Sequence, residues 1–435
     1  MKQIVTLVLL FALVACGGTN TPAANAPTAS SVPTSAAPEP TALPTTAVPT
    51  AAAPTSAPNG EQLPAGVVRG PDGSLQMPYL NFGVVVHLFY TDRDRVMTLA
   101  NNAGFDWVRQ QVVWRDIEDP TNGVLAFDTQ LDGIVESVHA SGRKLLVNIV
   151  QSPTAYNATN GLPDDPKALG NFVELMAQRY GDKIAAYEIW NEPNLAHENG
   201  GNIEPADVGH YVEILKEAYT RIKAVNPNAI VLAAASSSSG VTDPAIALSD
   251  EAFYAAMYTY NNGEVRNYFD VQAVHPGGAA NPPDTLWPDN PSFIEGCQPA
   301  PDRCWNDDET HYFRHVENVR RWMEQYGMAD KQVWITEYGW ATPNTSPGYE
   351  FGNFVSLEQQ AEYITGAIRR SFEEYPYIGN LFLWNMNFAV TKVENGLDPL
   401  HEQASFAILN GDWSPRPSYL AVQSLIAELK QKEGR

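Results

Sequence analysis

From Pro78 onward the chain alternates short apolar or β-branched runs with longer stretches whose apolar residues recur at helical spacing. The short runs predict strands at Phe82–Val86, Trp107–Val113, Lys144–Val150, Ala185–Trp190, Ile230–Ala235, Phe269–Val274, Gln332–Thr336 and Asn380–Trp384. Helical patterns stand at Phe127–Ser141, Asp165–Tyr180, Pro205–Val225, Glu309–Tyr326, Leu357–Tyr375 and Pro417–Lys430. Eight strand-plus-helix units predict an α/β chain folded as a (β/α)8 barrel with insertions to spare. A doubly wound open sheet is the competing arrangement, and it usually carries a glycine-rich phosphate turn after its first strand. Phe82-Gly83-Val84-Val85-Val86-His87 contains none. In a barrel, reactive side chains stand at the C-terminal ends of the strands.

The first 64 residues follow another pattern. Lys2 precedes an apolar run from Ile4 to Val14, too short to span a bilayer, and Leu13-Val14-Ala15-Cys16 resembles a bacterial lipobox. Residues 1–15 are expected to be a lipoprotein signal peptide, cleaved before a lipidated Cys16; an ordinary secretory signal with an incidental cysteine is the other reading. Residues 16–64 are almost all Thr, Ala, Pro and Ser, with no Lys or Arg between Lys2 and Arg69. Such a segment has no apolar side chains to offset its entropy and is expected to be a disordered Pro/Thr/Ala-rich tether. Residues 65–435 form the expected (β/α)8 domain. The protein would be exported and membrane-anchored through its N-terminal lipid alone, with that domain extracellular or periplasmic.

Composition narrows the partners. The 435 residues carry 27 Lys+Arg against 50 Asp+Glu, a formal charge of −23. That excess argues against nucleic acid, whose phosphates need clustered cations, and against a polybasic membrane surface. With Cys16 lipidated, Cys297 and Cys304 remain, with six residues between them in a proline-rich loop. In an exported protein they read as a disulfide rather than as half of a metal site. The stretch from Gly277 to Asp308 is long enough to wall one side of a cleft or to be a plain surface loop.

Two strand ends carry the candidate chemistry. The fourth runs Tyr187-Glu188-Ile189-Trp190-Asn191-Glu192-Pro193-Asn194 and the seventh Trp334-Ile335-Thr336-Glu337-Tyr338-Gly339-Trp340. Each puts a Glu where an apolar strand emerges at the barrel mouth. Paired carboxylates there suit glycosidic bond cleavage, one kept protonated as acid and one ionised as nucleophile. These two segments resemble the signatures of clan A glycoside hydrolases, which share the TIM barrel. With His275-Pro276 ending the sixth strand, the likeness is strongest to families 39 and 5 and covers roughly residues 78–430. The resemblance implies Glu192 as acid/base, Glu337 as nucleophile, Asn191 on the sugar 2-hydroxyl and Arg109 bracing the nucleophile and keeping its pKa low. It implies Trp384 as a subsite floor and His275 as either an interior histidine or a partner of the nucleophile. Trp114, Trp340, Tyr338 and His87 are further substrate-binding candidates, with Asn148, Gln151 and Tyr156 as weaker rim groups. Relatives often place an aromatic soon after the sixth-strand His, whereas this chain has Pro276-Gly277-Gly278; Tyr338 is one candidate to supply the missing hydroxyl.

The expectation is a retaining β-glycoside hydrolase acting on polysaccharide or oligosaccharide, needing no cofactor and no metal. A non-hydrolytic carbohydrate-binding surface lipoprotein and a transglycosidase are the alternatives. A metal-dependent hydrolase would want more than His87 and His275 at strand ends. A serine hydrolase would want a Gly-x-Ser-x-Gly elbow, which the chain lacks.

Overall fold

The computed structural model describes residues 63–288 and 304–435. The expected signal, the Cys16 lipidation site, nearly all of the tether and Cys297 lie outside those residues. Eight parallel strands close into a barrel: β1 Asn81–Val85, β2 Trp107–Val113, β3 Lys144–Val150, β4 Ala186–Ile189, β5 Ile230–Ala233, β6 Val271–Val274, β7 Gln332–Tyr338 and β8 Ile378–Leu383. The expected (β/α)8 barrel is the observed fold. The strands are buried on both faces, which is why they read as near-continuous apolar runs rather than alternating ones.

Eight main helices alternate with the strands, the last following β8: α1 Arg93–Asn102, α2 Leu131–Ala140, α3 Pro166–Tyr180, α4 Val208–Val225, α5 Asp250–Thr259, α6 Val316–Gln325, α7 Leu357–Glu374 and α8 Pro417–Lys432. Their starts are chemically marked. Asp165 caps α3 by accepting from Lys167 N, with Pro166 opening the helix. Ser356 and Gln359 form a reciprocal capping box on α7. The expected helix at Glu309–Tyr326 is shorter, because Tyr312 is extended (φ −119°, ψ 141°) and regular helix begins only at Val316. Among the described residues no helix is long and apolar enough to cross a membrane.

Inside the barrel, Trp107, Trp334 and Phe382 pack together, with Trp107 and Trp334 ring centroids 5.0 Å apart. Gly83 on β1 makes room for this layer, since a Cβ there would collide with the Phe382 ring. A short hairpin, Val68–Arg69 against Leu75–Gln76, closes the N-terminal end of the barrel. Leu75 and Met77 are buried in the same cluster as the two Trp residues, and Leu63 and Val67 pack against it. Gln332 at the start of β7 exchanges two bonds with Met77, its Oε1 accepting from Met77 N and its Nε2 donating to Met77 O, both at 2.9 Å. The opposite, C-terminal end stays open and holds the cleft.

Candidate active site

Strand β4 stops at Ile189 because the next residues leave extended geometry: Trp190 has φ 76° and Glu192 φ 44°. Left-handed backbone at non-glycine residues costs about 1–3 kcal/mol each and persists only where neighbours enforce it. Here Asn148 Nδ2 donates to Trp190 O at 2.8 Å, and Glu192 N donates to Ala235 O at 2.9 Å. Asn194 ties the turn to the loop after β5, donating to Ser237 O and Leu248 O at 3.0 Å each. The result is a Glu192 carboxyl turned into the barrel mouth.

Arg109 on β2 is fully buried and forks to three partners. Its Nε donates to Glu188 Oε2 at 2.7 Å, its Nη1 to Glu337 Oε1 at 2.6 Å and its Nη2 to Asn191 Oδ1 at 3.1 Å. The guanidinium thus stands directly behind Glu337, the contact expected of it. Asn191 is also buried, with its carbonyl oxygen taken by Arg109.

His275, just past β6, lies between the two mouth carboxylates. Its Nδ1 is 3.0 Å from Glu192 Oε1, and its Nε2 is 3.0 Å from Thr336 Oγ1 and 3.9 Å from Glu337 Oε1. Its hydrogen-bond partner is therefore Glu192 and not Glu337, the partner named among its expected roles. Burial alone would depress the imidazole, but the Glu337 and Glu192 carboxylates outweigh it and hold it above its ordinary value. Burial pushes the Glu337 carboxyl up against the opposing pull of His275 and Arg109, so Arg109 limits the rise without reversing it. The expectation that Arg109 keeps this group low is corrected by that desolvation.

A cleft of about 790 Å³ opens over this pair. Glu192, His275, Glu337, Tyr338 and Trp384 line it. Trp384 is half-buried, its ring 4.9 Å from that of Phe388. Tyr338 is buried against Phe313, and no hydrogen bond joins it to Glu337 among the described residues; it does not supply the hydroxyl sought for that carboxylate.

Three expected contacts are not made. Trp114 is fully buried, stacked on Tyr156 and Phe172 with Nε1 donating to Glu118 at 2.6 Å. Trp340 is equally buried and donates to Asn281 O at 2.9 Å. Both are core side chains, fixed by apolar packing around a satisfied indole, and neither faces the cleft. His87 lies outside the cleft lining, packed edge-on to Phe388, and burial drives its imidazole down to about 4. Cys304 is buried and disulfide-bonded.

Several side chains escaped sequence reasoning. Glu188, one pleat inside β4, looked like part of an apolar strand; its signal was a charge inside a run that should exclude one. Thr336 bridges Glu188 and His275. Glu350 and Glu402 line the cleft from loops after β7 and β8, where no strand pattern points to them. Glu402 Oε2 accepts from Ser346 Oγ at 2.8 Å, while Glu402 Oε1 and Glu350 Oε2 are buried without hydrogen-bond partners.

Residues 76–373 match the family model described as Cellulase (glycosyl hydrolase family 5). No curated protein matches the chain. Among solved structures it is similar to a family 39 glycoside hydrolase from Bacteroides cellulosilyticus WH2, at TM-score 0.57 and 20% identity over 81% of this chain. The chain spans 64% of that protein's length. It is also similar to endoglucanase Cel5A of Thermotoga maritima (TM-score 0.51, 14% identity, 79% of this chain and 96% of that one). Xylanase 10B of the same organism gives TM-score 0.52 and 16% identity over 82% of this chain and 96% of that one. At these identities the likenesses speak to the fold. The family match covers more than half of the chain, and the protein belongs to glycosyl hydrolase family 5 and is a glycosidase.

Proposed function

We propose that the protein is a retaining β-glycoside hydrolase acting on extracellular or cell-surface polysaccharide. Glu192 gives its proton to the glycosidic oxygen while a Glu337 oxygen bonds to the anomeric carbon and the C–O bond to the leaving sugar breaks. Water then attacks that carbon, passing its proton to Glu192 and releasing Glu337. The observation that carries the reading is the meeting of two glutamates from different barrel strands around one imidazole: His275 stands 3.0 Å from Glu192 and 3.9 Å from Glu337.

The cleft supports an uncharged glycan over an acidic one. Asp307, Asp308, Glu350 and Glu402 line it beside the two glutamates, which disfavours a uronate ring.

The test uses β-linked polysaccharides and aryl β-glycosides with wild type, Glu192→Gln and Glu337→Gln. Wild type should release reducing ends from one glycan class. Glu192→Gln should lose on the order of 10²–10⁴-fold in rate, as for removal of a general acid–base, and Glu337→Gln should be at least as impaired. Azide should rescue Glu337→Ala and give a product of inverted configuration. Variants as active as wild type would end the assignment, and a wild type that binds one glycan without cleaving any would favour a binding protein. In the same series, Cys16→Ser should move the protein from the membrane fraction to the soluble one if Cys16 carries the lipid.

A further inference from the structure

Double displacement as written leaves Glu188 unused, although it is a fully buried carboxylate one bond from the machinery. Arg109 Nε donates to it at 2.7 Å, so Glu188 is an ionised, acceptor-only group. Its second oxygen, Oε1, takes the hydroxyl proton of Thr336 at 2.8 Å. A hydroxyl has one proton to give. Having given it to Glu188, Thr336 Oγ1 meets His275 Nε2, 3.0 Å away, with lone pairs only. The hydrogen in that contact must therefore belong to Nε2. In the neutral ring this leaves Nδ1 a bare acceptor, 3.0 Å from Glu192 Oε1, and the hydrogen between them must come from Glu192. When the ring takes up a proton, the same contact becomes Nδ1–H against a carboxylate. Either way one proton is shared between Glu192 and His275.

We propose that Thr336 and Glu188 are positioning residues that lock a hydrogen on His275 Nε2, so that Nδ1 holds the acid proton of Glu192 for delivery. The inference rests on reading Glu192 as the acid/base. Without the Thr336 hydroxyl the ring is free to carry its hydrogen on Nδ1 and donate to the Glu192 carboxylate, which stabilises the ionised form and empties the acid at lower pH. Other charged or titratable groups face this pair. Glu337 from β7 and Arg109 from β2 act on His275, while His197 and Glu198 beyond β4 and Tyr349 beyond β7 lie in the field of Glu192. Among the described residues only His275 is within hydrogen-bond distance of the Glu192 carboxyl.

The experiment is the pH profile of kcat/KM for wild type, Thr336→Val and Thr336→Ser, with melting curves to verify folding. Thr336→Val keeps the shape and removes the hydroxyl; its basic limb should fall about one pH unit earlier, with KM little changed, as expected for loss of one hydrogen bond to the protonation state. Thr336→Ser restores the hydroxyl and should restore the limb. Nitrogen-15 spectra of the imidazoles, with the His275 signal assigned through His275→Asn, should give Nε2–H for wild type and Thr336→Ser. A Thr336→Val limb coincident with wild type, or Nδ1–H on His275 in the neutral wild type, overturns the proposal. If Thr336→Val does not fold, the wild-type spectrum decides alone. Full activity in Glu192→Gln would remove the acid/base reading and this inference with it, whereas an inactive Glu192→Gln beside an unshifted Thr336→Val removes the inference only.

Discussion

Glu198 sits on the short helical turn Ala196–Asn199 beyond β4, almost wholly buried, with His197 Nε2 3.8 Å from its carboxyl. Burial, reinforced by the negative fields of Glu192 and Glu337, pushes it up to about 8. The unfolded chain ionises this group near its ordinary value of 4.5, while the folded chain resists until about 8. The folded state therefore binds the extra proton in that window, and stability falls as pH rises through it, by at most about 1.4 kcal/mol per pH unit. Glu198→Gln should raise the melting temperature at pH 8 and flatten its decline between pH 5 and 8; a variant whose melting curve tracks wild type at every pH would contradict this. At the residue scale the sequence disclosed Glu192 and Glu337, because a carboxylate ending an apolar strand has no packing reason to be there. It did not disclose Glu198, Glu350 or Glu402, which stand on short helical turns in the segments beyond the strand ends, where charge is ordinary. Trp114 and Trp340 misled for the reverse reason: a Trp near a strand end reads the same whether its indole meets sugar or a buried acceptor.

At the scale of elements, all eight strands were legible from their apolar runs, and their ends shifted by a residue or two where backbone geometry intervened, as at Trp190. Helices α1 and α5 were not. In α1 only Val96, Met97 and Ala100 are buried, too few to establish a helical period within a polar segment. In α5 the large residues Phe253, Tyr254, Met257 and Tyr258 do share one buried face, but alanines fill most of the other side of a ten-residue run, so the contrast is weak and its clearest signal was Ser249, whose side chain accepts from Ala252 N. The missing aromatic after β6 also has an element-scale cause. A Cβ at Gly277 would run into the Thr310 carbonyl and the His311 backbone, and one at Gly278 would crowd Gly339 O and the Trp340 ring at 3.2 Å. The loop before α6 occupies the space an aromatic would need. Gly277→Ala should accordingly cost about 1–3 kcal/mol, the usual price of overpacking against backbone that cannot yield. Urea denaturation measures this, and an unchanged midpoint would show that the loop gives way.

For the whole molecule, the hairpin at the base of the barrel contributes most where the family match contributes least, since that match begins at residue 76. Leu75 and Met77 are buried against the interior Trp layer, and Lys331 pairs with Asp72 at 2.9 Å. Burial of each apolar side chain is worth about 1.5–3 kcal/mol. A chain starting at Leu80 should therefore unfold at clearly lower urea than one starting at Leu63, and equal midpoints would make the hairpin ornamental. The same hairpin sets a direction. Leu63 and Val67 lie against the base, and Lys144 Nζ, at the start of β3, holds Ala65 O at 2.9 Å, so the chain enters the barrel at the pole opposite the cleft. Anything fastened upstream of residue 63 would hold the molecule by its foot and leave the cleft facing outward.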